Sequence, residues 1–369
     1  MEIKYFDHAA TTPVREEVIK EMIPYFGVQY GNASVMYSLG RNARRAMNNA
    51  RNKVASVLNC DINEIYFTSC GSESDNLAIK GFAYANKDKG NHIITSKIEH
   101  HAVLDSCKSL ESKGFKVTYL NVDENGVIDL QELVNSITPE TILISIMFAN
   151  NEIGTIEPIE KIGEIAKEKN ITFHTDAVQA IGNLRIDVKK LNIDMLSLSG
   201  HKFYAPKGVG ALYVKNKAKL NPIVFGGGQE YNLRSGTENV AGIMGFTGAI
   251  EEINYNNSVE SIKSYIIENL NPNFKVNGEE TSPYILSLSY KGINGETLVH
   301  MLENEDILIS RGSACSGSKV GNRILTAMGL DKDSVVGSIR LSFSRYNTLD
   351  EGKIVTQKLN DFSTKLSNL

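Results

Sequence analysis

Between about residue 40 and residue 250 the chain switches repeatedly between two periods. The 3–4 spacing of an amphipathic helix gives way to short apolar runs of strand length. This alternation restricts the fold more than any other feature. Gly40 to Leu58 reads as a helix, with Ala43, Ala46, Met47, Ala50, Val54 and Val57 on one stripe. Strand-like runs follow at Ile65–Thr68, His92–Ser96, Lys116–Leu120, Thr141–Phe148, Ile171–His174, Asp194–Ser199 and Gly210–Val214. Helical patterns lie between them at Ser74–Tyr84, His101–Ser112, Leu130–Ile137 and Ile159–Glu168. Such a sequence predicts an α/β fold with a mostly parallel sheet covered on both faces. Ligands of such sheets sit at the carboxyl ends of the strands, so polar clusters there are the candidate site. After residue 250 the texture changes. An Asn-rich stretch is followed by strand-like Tyr284–Tyr290 and Ser338–Phe343 around helical segments, which predicts a smaller α+β domain.

A chain of 369 residues is long enough for two such domains and needs no disulfide or structural metal to hold a core. Its formal net charge of −4 gives no basic surface for nucleic acid or an anionic membrane. The longest apolar stretch, Ile142 to Ala149, falls far short of the ~18 residues of a span. The N-terminal Met1-Glu2-Ile3-Lys4 carries an acid where a signal peptide carries bases. Cys60, Cys70, Cys107 and Cys315 show neither CxxC spacing nor a metal-ligand pattern. A reducing cytoplasm, with no bound metal and no membrane, is the expectation.

The nucleotide motifs fail: no GxxxxGK[ST] exists, and neither Gly208-Val209-Gly210 nor Gly226-Gly227-Gly228 completes GxGxxG. Other strand ends carry more. Thr68-Ser69-Cys70-Gly71-Ser72 joins a strand to a helix through small residues, which suits a phosphate cup or an ordinary capped turn. Cys70 could line that turn, although a small packing residue is its leading reading. Asp176 closes a strand with Gln179 one helical turn on; it could pair with a protonated ring nitrogen or cap the turn. Lys202, in Ser199-Gly200-His201-Lys202 after a buried strand, is a Schiff-base candidate or a lysine that snorkels to solvent. Cys315 lies in Gly312-Ser313-Ala314-Cys315-Ser316-Gly317, a small-residue loop that suits an exposed, reactive thiol with Arg311 favouring its thiolate. Cys60 and Cys107 read as structural. His100 and His101 are adjacent and cannot face one another as metal ligands; one suits ring stacking and the other the surface.

Together these segments resemble the pyridoxal-phosphate (PLP) enzymes of fold type I, class V, and within them the cysteine desulfurases of the NifS/IscS type. The resemblance runs from Asp7-His8-Ala9-Ala10-Thr11-Thr12-Pro13 to Ser338-Ile339-Arg340-Leu341-Ser342. It is carried most specifically by Ser199–Lys202, Asn150-Asn151-Glu152-Ile153-Gly154, Arg234-Ser235-Gly236-Thr237-Glu238-Asn239 and Gly312–Ser316. It implies a large PLP-binding domain, 14–255, with a seven-stranded sheet. It also implies a small domain, 1–13 with 256–369, that carries the cysteine loop.

The resemblance also implies roles. Lys202 would hold PLP and move the substrate α-proton, and Asp176 would pair with the ring nitrogen. Gln179 would bond the phenolic oxygen, and His100 would stack on the ring as an acid/base. Gly71, Ser72, Ser199 and His201 would hold the phosphate. Thr237 would reach the phosphate of the partner subunit in a homodimer. Asn151 and Arg340 would grip the carboxylate of L-cysteine. Cys315 would take the sulfur as a persulfide and pass it to an acceptor protein, such as an Fe–S scaffold or a tRNA-thiolation relay. Selenocysteine lyase or aminotransferase activity is the alternative within the class, and a silent scaffold the alternative outside it. Ala33, Tyr37, Cys70, Ala205 and Tyr231 depart from the usual family residues, and none of them removes a catalytic group.

Overall fold

A computed structural model describes residues 3–215, 218–251, 253, 258–279, 281–311 and 322–368. The loop expected to present Cys315 lies outside these residues. The strands in chain order are β1 (Lys4–Tyr5), β2 (Ile65–Thr68), β3 (His92–Ser96), β4 (Lys116–Leu120), β5 (Thr141–Ser145) and β6 (Thr172–Asp176). They continue with β7 (Met195–Ser199), β8 (Gly210–Val214), β9 (Phe274–Val276), β10 (Ile285–Tyr290), β11 (Ile307–Leu308) and β12 (Ser338–Ser342).

Seven strands form the large sheet in the order β2-β8-β7-β6-β5-β3-β4. Only β8 runs antiparallel to its neighbours; the remaining pairs are parallel. The expected α/β architecture is therefore present. Strands β3, β5, β7 and β8 are buried at every residue, as their apolar runs require between two helical layers. Edge strand β4 instead opens on an exposed Lys116, a charge that discourages further pairing. Strand β5 ends three residues before the predicted Phe148. The chain stays extended there, with Ile146 and Phe148 donating to the carbonyls of His174 (3.2 Å) and Asp176 (2.9 Å).

Helix Ser38–Leu58 buries Ala43, Met47, Ala50, Val54 and Leu58 on one stripe and ends at a left-handed Asn59 with φ 57°. The helix predicted from Ser74 begins at Gly71 instead. It passes through a π-turn at Leu77–Gly81 before continuing to Ala85. Gly81 is needed at that turn, because a Cβ would stand 2.7 Å from the carbonyl oxygen of Asn221.

A second core gathers Phe6 with Val259, Ile266, Leu286, Leu288, Leu298, Leu341, Val355 and Leu359. Around it β10 pairs antiparallel with β9 and β12, while β1 pairs parallel with β11. Helix Leu349–Ser367 begins with a reciprocal cap between Thr348 and Glu351 and packs on helix Ser258–Asn269. No helix among the described residues is long and apolar enough to cross a membrane.

One buried ion pair holds the large layer. Arg51 donates to both oxygens of Glu230 at 2.7 and 2.8 Å, with both side chains almost fully buried. Glu230 also accepts from the Phe67 N–H at 2.8 Å, and the guanidinium stacks over the rings of Phe67 and Tyr231. This pairing restrains three consecutive left-handed residues, Glu230, Tyr231 and Asn232, at φ 43°, 57° and 66°. Arg51→Leu strands a buried carboxylate and is expected to cost about 3–5 kcal/mol, read from the urea midpoint. The double variant Arg51→Leu/Glu230→Leu should lose less than Arg51→Leu alone; an equal or larger loss would contradict this assignment.

Candidate active site

Five chain segments leave the carboxyl edge of the large sheet and surround a cavity of about 240 Å³. Asp176, the last residue of β6, lines it with only 6% of its surface exposed. Its Oδ1 accepts from the Val178 N–H at 2.9 Å, so the residue caps a turn and faces the pocket at once. Gln179 follows on the same wall and donates Nε2 to the Ala9 carbonyl at 3.0 Å.

After β7 the chain makes a single 3₁₀ turn, Gly200–Lys202, which turns the lysine into the cavity. Its Nζ donates to the carbonyls of Ala9 and Ala10, the latter at 3.0 Å. Desolvation and the charge of Arg340 push the Lys202 amine down to about 8, against the opposing pull of Asp176, Asp7 and Glu152. The snorkelling alternative does not describe it.

The turn after β2 forms the other end. A Cβ on Gly71 would stand 2.7 Å from Val178 Cγ2 and 3.4 Å from Ser199 Cβ, so only glycine fits this close approach. Ser72, Ser199 and His201 line the same end. The Ser199 hydroxyl is buried and has no hydrogen-bond partner among the described residues. Desolvation, with Lys202 and Lys207 nearby, pushes His201 down to about 4 and leaves it neutral. Cys70, expected as a packing residue, is half-exposed and lines the pocket beside Gly71. Glu73 accepts from the Ser69 N–H at 2.7 Å and pairs with Arg234 at 2.7 Å, which ties this turn to the segment carrying Thr237. Thr237 itself is exposed and lines no part of this cavity.

His100 stands before helix His101–Glu111, and its Nδ1 accepts from the Ala102 N–H at 3.1 Å. The neutral ring therefore carries its proton on Nε2. Desolvation lowers its basicity, with Lys202 contributing in the same direction. His101 is exposed, as expected of the second histidine. Asn151 lines the mouth. Arg340 on β12 donates Nη2 to Asp7 at 2.6 Å and Nη1 to the Asn151 carbonyl at 2.8 Å, with Glu152 at 3.5 Å. Arg311, expected beside the Cys315 thiolate, pairs with Glu296 at 3.1 Å. Burial pushes the thiols of Cys60 and Cys107 up to about 12, so both are inert packing groups.

Sequence reasoning missed two buried acids here. Asp75 lines the cavity from the helix that opens at Gly71. Glu99, fully buried, accepts from Ser96 Oγ at 2.7 Å and the Met147 N–H at 2.9 Å, and burial pushes it up to about 8. Asp75 stands inside the helix that opens at Gly71, and Glu99, three residues past β3, reads in the sequence as an ordinary turn acid.

The donor set fits PLP. An amine of lowered basicity suits an aldehyde, and a carboxylate at the cavity wall suits a ring nitrogen. The glycine turn, with the unpartnered Ser199 hydroxyl, suits a phosphate.

The class-V aminotransferase family profile matches residues 4–354. "Cysteine desulfurase IscS" of Clostridium botulinum (strain Hall) is 50% identical over 368 residues, covering 96% of this chain and 93% of that protein. The solved structure of a "NifS-like protein" superposes with a TM-score of 0.93 at 40% identity, covering 99% of this chain and all of that one. "SspA in complex with cysteine" superposes at 0.86 with 40% identity, covering 94% of this chain and all of that one.

The lowered basicity of Lys202 is directly testable. In the cofactor-free protein, labelling of Lys202 by an amine-directed acylating reagent should rise about tenfold per pH unit below pH 8 and then level off. A labelling midpoint near that of surface lysines, at about 10.4, would contradict the assignment.

Proposed function

The chain belongs to the class-V aminotransferase family and is a cysteine desulfurase that depends on PLP, and we propose that the cavity at the carboxyl edge of the large sheet is where L-cysteine becomes L-alanine. The observation that carries this reading is Lys202, an amine of lowered basicity, sharing one cavity with the strand-end carboxylate of Asp176. When bound there, PLP supplies an electron sink for bond breaking at the substrate's α- and β-carbons.

The residues divide the remaining work. Lys202 holds the cofactor through Nζ and later carries the substrate α-proton on that same atom. Its pKa of about 8 supports this role, because about a tenth of the amine is unprotonated at pH 7, far more than for an ordinary lysine. Asp176 would pair with the ring nitrogen, and Gln179 would bond the phenolic oxygen. His100, whose Nδ1 accepts from the Ala102 N–H, would stack on the ring with a proton on Nε2 to give. Gly71, Ser72, Ser199 and His201 hold the phosphate. Asn151 and Arg340 hold the substrate carboxylate and so fix which bond at the α-carbon faces Lys202.

Sulfur then passes to Cys315. Its thiolate attacks the substrate sulfur, the carbon–sulfur bond breaks and a sulfur–sulfur bond forms. The electron pair left at the β-carbon is taken up with a proton, giving L-alanine and a persulfide on Cys315. The small-residue sequence around Cys315 supports a thiol that can travel to an acceptor. The raised pKa values of Cys60 and Cys107 count against either as the nucleophile.

We further infer a cytoplasmic homodimer that serves an Fe–S scaffold or a tRNA-thiolation relay. In it the exposed Thr237 of one subunit meets the phosphate in the other. The domain division 14–255 against 1–13 with 256–369 is part of the same proposal, supported by the separate core around Phe6 and Leu288.

Cys315→Ala should retain cofactor and still change its visible spectrum when L-cysteine is added, yet lose alanine formation by at least about 10²-fold. Cys60→Ala and Cys107→Ala should stay near the parent rate. Alanine release by Cys315→Ala at the parent rate would remove the nucleophile assignment. Borohydride reduction and peptide mapping should place the cofactor on Lys202, and an adduct on another lysine would remove the cofactor site as described.

A further inference from the structure

Asp75 lies against the wall of the cavity with 1% of its surface exposed, and its Oδ1 has no hydrogen-bond partner among the described residues. The groups that face it come from every neighbouring element. From β6 come Asp176 and His174; from β7 comes Ser197; Glu99 lies in the turn after β3; Cys70 belongs to its own turn. Single ligand atoms of Asp75, His100 and Asp176 all lie within 4.8 Å of one another.

His174 could have neutralised Asp75, but its geometry argues otherwise. Its Nε2 stands 3.7 Å from Asp75 Oδ1, beyond hydrogen-bond reach, and faces Ser197 Oγ at 3.0 Å. Its Nδ1 faces Ser145 Oγ at 2.8 Å. Fully buried between two hydroxyls, the ring is held down to about 3 and carries no charge. Two buried carboxyls therefore lie close together. Burial raises the pKa of Asp176 as well, but the Val178 N–H and the charge of Lys202 oppose that rise. The charged neighbours of Asp75 are acids, and burial raises its pKa well above the carboxylate range.

We propose that Asp75 is a positioning residue that keeps its proton in the working enzyme, so that Asp176 alone carries the negative charge facing the cofactor's ring nitrogen. The inference rests on the assignment of Asp176 made above. A single negative charge then has one place to sit, on the carboxyl that borders the ring. Asn at position 75 preserves the shape of a neutral carboxyl and should be tolerated.

The test uses the holoenzyme carrying ¹³C-carboxyl-labelled aspartate, so that the buried Glu99 and Glu157 stay silent in its infrared spectrum. A labelled, protonated carboxyl band is expected at neutral pH and should vanish in Asp75→Asn. That variant should hold the cofactor within about threefold of the parent affinity and leave the pH profile of its visible absorption in place. Absence of the band from the parent protein overturns the proposal, whether or not any variant folds. Its survival in Asp75→Asn does so too, because the proton would then reside on Asp176. Asp176→Asn tests the underlying assignment separately and should weaken cofactor binding by at least about tenfold. Unchanged binding there would remove the role of Asp176, while the infrared band still reports where the proton sits.

Discussion

The carbonyl oxygen of Ala9 accepts from both Lys202 Nζ and Gln179 Nε2, and the Ala9 N–H donates to Ser342 Oγ at 2.8 Å. One residue thus ties two cavity residues of the large sheet to the end of β12. The flanking residues repeat the link. The Thr12 N–H donates to the His201 carbonyl at 2.9 Å, the Tyr204 N–H donates to Thr12 Oγ1 at 2.8 Å, and Asp7 accepts from Arg340. These bonds cross 170 to 333 positions of sequence, so the ordering cost of the segment is met only after both layers have formed. The cavity depends on this segment because Lys202 stands on a single short turn and Arg340 belongs to the other sheet.

The strand ends bring polar groups together where water is scarce, and the structure keeps few of them charged. Glu99 and Glu157 are pushed up to about 8 by burial, and His174 and His201 are held neutral. Arg340, 5% exposed, instead keeps acids on both sides, Asp7 and Glu152. Breaking such a buried pair costs more than the pair is worth intact, because the surviving charge stays desolvated. The position of Arg340 beside Asn151 is therefore held from three directions before any ligand arrives.

How much of this was legible follows from the range of each interaction. Asp176, Gln179 and Lys202 could be found because a strand's end is a local pattern, and the α/β fold places all such ends on one edge. The small-residue turn at Gly71 was visible for the same reason, although its close approach to Val178 and Ser199 appears only in the fold. For Cys70 the less favoured of its two readings holds: a small residue after a strand reads as packing until the cavity beside it is known. Asp75 and Glu99 were invisible because an acid in Glu73-Ser74-Asp75-Asn76 or before His100 looks like a solvated one. The hold of Asp7 to Thr12 on the cavity could not be read from spacing, since its partners lie far along the chain. The family resemblance flagged the segment without giving that reason.

The electrostatic balance at Lys202 follows from the same arrangement. Arg340 depresses the amine's basicity, while Asp176, Asp7 and Glu152 raise it. Lys202 is largely desolvated, so a nearby unit charge alters its proton affinity more than it would in water. A carboxylate brought to Arg340 offsets the depressing charge without touching the lysine. The amine is thus least basic before the substrate arrives, when a free base is needed to join the cofactor. With the substrate carboxylate held at Arg340 as proposed, the amine would become more basic, when a proton must be taken from carbon. In the proposed role, one arginine fixed by Asp7 and the Asn151 carbonyl would link recognition of the substrate's carboxylate to the strength of the base that acts on it.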